Sequence, residues 1–241
     1  METFHFKKFS VSHQNCFKVG TDAVLLGALT PITTETQRAL DIGTGSGVVA
    51  LMLLQRGVSS AVGIEIDAAA ASEAAENVKK SIWNEKIHIV CADFCDLSAT
   101  NSLGLFDLIV SNPPFFSNSL KSPDNKRNTT RHNDNSLPFE TLLQNASSLL
   151  SENGRFSLIL PLPEAELLRQ KATSYGLFPT EIHHIFSKPH KPEYRQILVL
   201  KKQRSPQPPV EKSICIYQDD SSYSEEYKRV TGEFYLKIAQ T

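Results

Sequence analysis

Short apolar runs alternate with longer helical runs along the chain from about residue 38 to about residue 176. The apolar runs predict strands at RALDIG, SAVGIEID, KIHIVCAD, FDLIVSN and RFSLILP. The runs between them predict helices at VVALMLLQR, AAAASEAAENVKK, PFETLLQNASSLL and PEAELLRQKATSY. Strands and helices that alternate in this way favour an α/β fold, with a mostly parallel sheet and helices on both of its faces.

The end of this pattern departs from the alternation. TEIHHIFS and RQILVLKK predict two further strands, and the connector KPHKPEY between them is too short for a crossover helix. The two strands must therefore pair antiparallel, which completes a Rossmann-like sheet of seven strands ending in an antiparallel hairpin. Near the N-terminus, aromatic residues predict a short strand or hairpin, followed by a helix with Thr21 or Asp22 as its N-cap.

The tail after the core has its own pattern. It follows the proline-rich stretch QRSPQPP and predicts one short strand and one amphipathic helix. We expect a single domain over residues 1–241, divided into an N-terminal strand/helix extension (1–37), a Rossmann-like core (38–202) and a C-terminal strand/helix appendage (203–241).

Composition and charge exclude some classes of protein. Of the 241 residues, 40% are hydrophobic and 21% are charged, which is ordinary for a soluble globular protein. Because 25 Lys and Arg balance 26 Asp and Glu, any nucleic-acid surface must be a local patch. No apolar run is long enough to span a membrane, the start lacks a signal-peptide pattern, and the four cysteines form no metal-site pattern. We expect a cytoplasmic protein with reduced cysteines, no metal and no membrane partner.

A glycine-rich loop joins the first core strand to the helix that follows it. Its sequence is DIGTGSG, with Asp41, Gly43, Gly45 and Gly47 as the candidate cofactor-binding residues. Glycines at such a turn permit left-handed backbone conformations and a close approach of a ligand to the backbone. The G-x-G-x-G spacing differs from the dinucleotide fingerprint, and by itself the loop leaves a tight strand–helix turn as an alternative.

Three further features follow the next three strands. Glu65 ends one strand and can accept hydrogen bonds from both hydroxyls of a ribose; Asp93 and Phe94 end the next and suit the amino group and the face of an adenine. SNPPFF ends the fourth strand, where two prolines stop the strand and stiffen its exit. Together with the glycine loop these features lie at the carboxyl ends of successive strands, where a doubly wound sheet forms its binding crevice.

The motifs DIGTGSG, GIEID, CADF and SNPPFF, in this order, resemble those of class I S-adenosylmethionine-dependent methyltransferases. The resemblance implies S-adenosyl-L-methionine as the cofactor, and the Asn-Pro-Pro-aromatic motif implies methylation of a planar amino or amide nitrogen. The side-chain oxygen of Asn112 and the carbonyl of Pro113 then accept hydrogen bonds from the two N–H groups of the amine, which localises the nitrogen lone pair. Phe115 stacks on the base.

The loop after this motif carries an excess of basic residues. These residues suit phosphate contacts on a nucleic acid, and they are Lys121, Lys126, Arg127, Arg131 and His132. A second basic cluster lies in the final hairpin, and there a merely solvated surface is an equally good interpretation. The stretch 65–96 is acidic by contrast, so the balanced total charge conceals an asymmetry.

A narrower resemblance rests on three segments. CFKVGTDAVLLGAL, NPPFF with its basic loop, and YSEEYKRVTGEFYL are similar to the bacterial tRNA1(Val) (adenine-37-N6)-methyltransferase family. The resemblance implies a tRNA substrate, N6 of adenine as the acceptor, and Thr21 and Asp22 lying over the cofactor. Separately, we expect the enzyme to be a monomer. Phe at position 115, where this family often has Tyr, leaves open a ribosomal RNA guanine-N2 methyltransferase, and a release-factor glutamine methyltransferase also shares the NPP motif.

Overall fold

The structure is a computed structural model that describes residues 3–96, 102–113 and 137–236. The predicted Lys121, Lys126, Arg127, Arg131, His132 and Phe115 lie outside these ranges. The described strands are β1 Thr3–His5, β2 Ser10–Ser12, β3 Arg38–Ile42, β4 Ser60–Glu65, β5 Ile87–Cys91, β6 Phe106–Ser111, β7 Leu150–Pro161, β8 Phe178–Phe186, β9 Glu193–Lys201 and β10 Val210–Cys215. The described α-helices are α1 Thr21–Leu29, α2 Val48–Gln55, α3 Ala68–Lys79, α4 Phe139–Leu149, α5 Leu162–Ala172 and α6 Glu225–Thr231.

The main sheet has the order β10-β8-β9-β7-β6-β3-β4-β5. Within it β9 alone runs antiparallel to its neighbours, because it pairs antiparallel with both β7 and β8 while every other described pair is parallel. The α/β class, the mostly parallel sheet and the final antiparallel hairpin are therefore confirmed. The described sheet has eight strands rather than seven, because the strand predicted in the appendage adds to its edge beside β8.

The two faces of the sheet carry separate apolar clusters, since side chains alternate between the faces along each strand. On β3, Ala39 belongs to one cluster and Leu40 to the other. The first cluster includes residues of α1, α2 and the tail, and it contains Tyr227 and Phe234, both almost fully buried. The second includes residues of α4 and α5. Residues of the N-terminal extension and of the appendage thus share one apolar cluster with the core.

The N-terminal extension lies on the face that α2 covers. β1 and β2 form the expected antiparallel hairpin, and Phe6 and Phe9 pack into the first cluster. The helix α1 begins at Thr21 and its N-cap is Gly20, so the prediction of Thr21 or Asp22 as the cap was wrong. Glycine is an acceptable N-cap residue because the position needs only an extended backbone, and no side-chain cap hydrogen bond forms here.

No helix in the described ranges combines the length and the apolar character that crossing a bilayer requires.

Candidate active site

The register of the sheet brings the ends of four strands to one edge. Ile42, the last residue of β3, pairs with Ile64 on one side and with Ser111 on the other. Glu65 at the end of β4 pairs with Cys91 at the end of β5. The glycine loop, Glu65, the turn after β5 and the exit of β6 therefore lie side by side, as the sequence predicts.

The glycine loop has a backbone that only glycine adopts without strain. Gly43, Gly45 and Gly47 have φ of +70°, +54° and +79°. The N–H groups of Gly43 and Thr44 donate to the carbonyl of Ile64, at 2.9 and 3.0 Å, so the loop is fastened to the end of β4. A Cβ on Gly43 would meet nothing within 4 Å, which leaves open space beside the loop.

Asp41 lies beneath this loop. Its carboxylate is buried and accepts hydrogen bonds from the Thr44 hydroxyl, at 2.6 Å, and from the Ala50 N–H, at 3.3 Å. Burial raises the pKa of Asp41 to about 6, although the two hydrogen bonds act in the opposite direction. The side chain of Asp41 therefore holds the loop and the start of α2 together. Because it is buried, Asp41 would affect a bound cofactor through the shape of the loop.

Glu65 joins the glycine loop to the start of α3. One carboxylate oxygen accepts from the Gly45 N–H at 3.0 Å, and the other accepts from the Asp67 N–H at 3.1 Å. A carboxylate oxygen can accept more than one hydrogen bond, so both oxygens retain capacity for donors such as hydroxyls. The side chain is partly exposed, in the position expected for a ribose contact.

The turn after β5 places its two predicted residues differently. Asp93 is exposed, and its carboxylate accepts from the Cys95 N–H at 2.8 Å. The Phe94 side chain is only 4% exposed and packs in the second apolar cluster, so its ring does not offer the open face expected for an adenine. Its carbonyl accepts from the buried side chain of Asn145 at 2.8 Å, which fixes the turn against α4.

The exit of β6 is held on the core side. Ser111 is fully buried and its hydroxyl donates to the carbonyl of Ile42 at 3.0 Å, a bond additional to the ladder between β6 and β3. Pro113 is buried, and Asn112 between them is partly exposed. Among the described residues, no group hydrogen-bonds the Asn112 side chain.

Asp22 lies near the other half of the sheet. Its carboxylate pairs with the guanidinium of Arg195, at 2.8 Å to Nε, and Tyr194 lies within 3.4 Å of the same carboxylate. Arg195 pairs with Pro161, the last residue of β7, so this ion pair lies at the same edge of the sheet as Asn112. Thr21 precedes Asp22 at the start of α1. Asp22 is thus engaged with β9, and its expected contact with a cofactor remains a prediction.

Two residues of α3 that the sequence did not single out hold the N-terminal segment beside the glycine loop. The buried Asn77 donates to the carbonyls of Ser12 and Ser46, both at 2.9 Å. Glu73 accepts from the backbone N–H groups of Gln14, at 2.7 Å, and Asn15, at 2.8 Å. On a helix these two residues look like part of a solvated face, so their spacing carries no signal of this role.

Cys16 follows directly in this segment. Its Cβ lies 4.0 Å from the position that a Cβ on Gly45 would occupy, so the segment touches the glycine loop. Burial, followed by the nearby carboxylates of Glu73 and Glu65, raises the pKa of the Cys16 thiol to about 12. The thiol is therefore neutral at physiological pH, and it hydrogen-bonds the side chains of Glu73 and Ser46.

Gly63, inside β4, is a further position that the site requires. A Cβ there would lie 2.8 Å from a side-chain carbon of Ile89 and 2.9 Å from the side chain of Thr44. Its absence lets the glycine loop pack against the strand. An isolated glycine within a strand pattern is the sequence signal that could have revealed this contact.

The arrangement has the features of a nucleoside-containing cofactor site. It combines an open glycine cradle, a carboxylate beside it at the end of the next strand, and an exposed carboxylate after the third strand. In the described parts of the chain, no group of three or more His, Cys, Asp or Glu side chains is placed to hold a metal ion.

Comparison with known proteins gives concordant results. The family model described as methyltransferase small domain matches residues 10–171. A tRNA1(Val) (adenine(37)-N6)-methyltransferase from Bacteroides fragilis is 45% identical over 98% of this chain and 98% of its own length. A protein of the same name from Bacteroides thetaiotaomicron is 40% identical over the same shares. Among solved structures, a predicted O-methyltransferase from Agrobacterium tumefaciens aligns with a TM-score of 0.66 and 17% identity, over 92% of this chain and 100% of the other, which supports the fold.

Proposed function

We propose that this chain, which belongs to the methyltransferase small domain family, transfers a methyl group from S-adenosylmethionine to N6 of adenine 37 in a valine tRNA. The observation that carries the proposal is the full-length similarity to relatives named for this activity, at 40–45% identity. The relatives match over 98% of both chains, so the comparison includes the glycine loop, the exit of β6 and the tail.

The residues at the edge of the sheet suit this cofactor. The glycine loop offers backbone and open space, Glu65 offers acceptors for ribose hydroxyls, and Asp93 offers an acceptor for an amino group. S-adenosylmethionine, when bound, supplies a methyl group on a positively charged sulfur, which is an electrophile that needs no metal. The buried Asp41 contributes indirectly, because it fixes the shape of the loop through Thr44.

Asn112 and Pro113 supply the chemistry on the acceptor side. The N6 lone pair of adenine is delocalised into the ring, so the amine is a poor nucleophile. The amide oxygen of Asn112 and the carbonyl of Pro113 accept hydrogen bonds from the two N–H groups, which localises the lone pair and stabilises positive charge as the new N–C bond forms. The acceptors are held by the strand exit, so little reorganisation is required. The ring of Phe115 stacks on the base.

The RNA is bound by a basic rim next to this motif. Lys121, Lys126, Arg127, Arg131 and His132 follow it in the sequence, and their charges suit the phosphates of an anticodon loop. Adenine 37 must be unstacked to reach Asn112, and this costs less in a loop than in a duplex. We further propose that the enzyme acts in the cytoplasm and as a monomer, which size-exclusion chromatography with light scattering would test.

The decisive experiment is nucleoside mass spectrometry of purified valine tRNA from cells with and without this gene. We expect N6-methyladenosine to be lost from that tRNA and to return when the gene is restored. If the modification instead persists in the deletion strain, or a guanine N2-methyl group is lost from ribosomal RNA, the proposed substrate is wrong.

A second experiment tests the role of Asn112. Asn112→Ala should lower kcat by about 100-fold or more, the usual loss when one preorganised hydrogen-bonding group is removed. The affinity for S-adenosylhomocysteine, measured by calorimetry, should change little, because Asn112 contacts the acceptor. Asn145→Ala serves as the comparison, because it removes the side chain that fixes the turn after β5 on the cofactor side. In that variant we expect the affinity for S-adenosylhomocysteine to fall. An equal loss of affinity and turnover in Asn112→Ala would contradict the assignment.

A further inference from the structure

The N-terminal segment crosses the carboxyl edge of the sheet between two anchors. At one end, Glu73 holds the backbone of residues 14 and 15, and Cys16 touches the glycine loop after β3. At the other end, Asp22 is paired with Arg195 on β9. The strands β6 and β7 lie between β3 and β9 in the sheet. Residues 17–20 therefore run past the carboxyl ends of β6 and β7, on the edge of the sheet where Asn112 follows β6.

Phe17 stands out within this crossing. Its side chain is 86% exposed, although it follows directly after a residue that packs on the glycine loop. Most of its apolar surface is in contact with water, on a segment that is fixed on both sides. A flat ligand can stack on an exposed aromatic side chain beside a binding crevice. Because the segment is already anchored, little conformational entropy is lost when the ligand binds.

The position of the ring selects the acceptor rather than the cofactor as that ligand. The cofactor side of the edge is formed by the loops after β3, β4 and β5, and Cys16 already closes the segment onto the glycine loop. Phe17 is one residue further towards β9, in the direction of the β6 exit that carries Asn112. We propose that Phe17 is an acceptor-contact residue, whose ring packs on an unstacked RNA base as adenine 37 enters the site. This inference rests on the proposed function and deepens it.

The test uses the full-length protein, S-adenosylmethionine and an unmodified valine tRNA transcript. Phe17→Ala should raise KM for the tRNA by about 5- to 150-fold, the range expected from the loss of one base–aromatic stacking contact. Phe17→Tyr and Phe17→Trp keep a flat ring and should stay within about threefold of the wild type, whereas Phe17→Leu should behave like the alanine variant. The dissociation constant for S-adenosylhomocysteine should stay within about twofold in all four.

Ile82→Ala is the matched control. Ile82 is 73% exposed and lies between α3 and β5, at the opposite edge of the sheet, so its removal should leave KM unchanged. An unchanged KM in Phe17→Ala would overturn the inference, and so would a weakened affinity for S-adenosylhomocysteine, which would make Phe17 a cover for the cofactor. If the wild type produced no N6-methyladenosine in this transcript, the proposed function would fail and this inference with it.

Discussion

Replacing Asp41 by asparagine would measure the cost of holding a carboxylate beneath the glycine loop. The side chain is 2% exposed, and burial raises its pKa from the ordinary value of 3.8 to about 6. The Thr44 hydroxyl and the Ala50 N–H donate to the carboxylate, but they do not replace all of the hydration that it loses. Asparagine keeps the size and one acceptor oxygen, and it does not ionise.

The two pKa values fix the sign and the size of the effect. Between pH 3.8 and about 6 the folded protein holds a proton on Asp41 that the unfolded chain has lost. The folded state binds more protons in this window, so the contribution of Asp41 to the free energy of unfolding falls as the pH rises through it. At ~1.36 kcal/mol per pKa unit, the shift corresponds to about 3 kcal/mol. Above the window both states are ionised, and the contribution is constant.

Urea unfolding of the wild type and Asp41→Asn across this range is the assay. Other titrating groups cancel when the free energy of unfolding of one protein is subtracted from that of the other. This difference should move by about 2 kcal/mol in favour of the variant from about pH 4 to about pH 6.5. Thr44→Val removes the hydroxyl donor, so it should raise the pKa of Asp41 in the folded protein and extend the window at its upper end. If the difference in the free energy of unfolding between the two proteins did not change with pH, or changed in favour of the wild type, the reasoning would be refuted.

Three further predictions concern the surroundings of the glycine loop. Gly63→Ala should destabilise the protein by about 1–3 kcal/mol in urea unfolding, because its Cβ overlaps neighbouring side chains. Gly20→Ala has 3.9 Å to its nearest atom and should cost less, through the weaker N-cap alone; equal effects would contradict this. Iodoacetamide at about pH 8.5 should alkylate the exposed Cys91 well before Cys16, whose pKa burial and Glu73 raise to about 12, and similar rates would contradict that pKa. Glu73→Gln should accelerate both the alkylation of Cys16 and the amide hydrogen exchange of residues 14 and 15, and unchanged rates would show that this anchor does not hold the segment.

The sequence predicts the central fold well because its signals are local. The strands β3 to β7 and the helices between them follow from apolar runs bounded by polar and glycine-containing turns, and the short connector requires β8 and β9 to pair antiparallel. The placement of β10 does not follow from such signals. Four of its six residues are exposed and only Ile214 is buried, so nothing in its pattern identifies the sheet edge on which it pairs.

The candidate site divides in a similar way. Gly43, Glu65 and Asn112 could be placed from the sequence, because each follows a strand and parallel strands end at one edge. Side chains that hold loops far from them in the sequence could not be placed in this way. Glu73 and Asn77 act on segments about 60 residues away along the chain, and that pairing depends on the tertiary structure. The burial of the Phe94 ring could not be predicted for the same reason, because it depends on the packing of the second apolar cluster, which includes residues of α4.

The position of Asn112 is determined by the core side of the β6 exit. Ser111 is bonded to β3 through both the strand ladder and its hydroxyl, and Pro113 is buried, so the backbone of Asn112 is held by both of its neighbours. A neutral amide neither removes a proton nor attracts an amine by charge, so its contribution depends on its direction and distance. Because β3 also ends in the glycine loop, one strand pair sets the separation between the cofactor cradle and the acceptor amide. Under the proposed function, the core packing of β3 against β6 therefore positions the acceptor amide relative to the cofactor site.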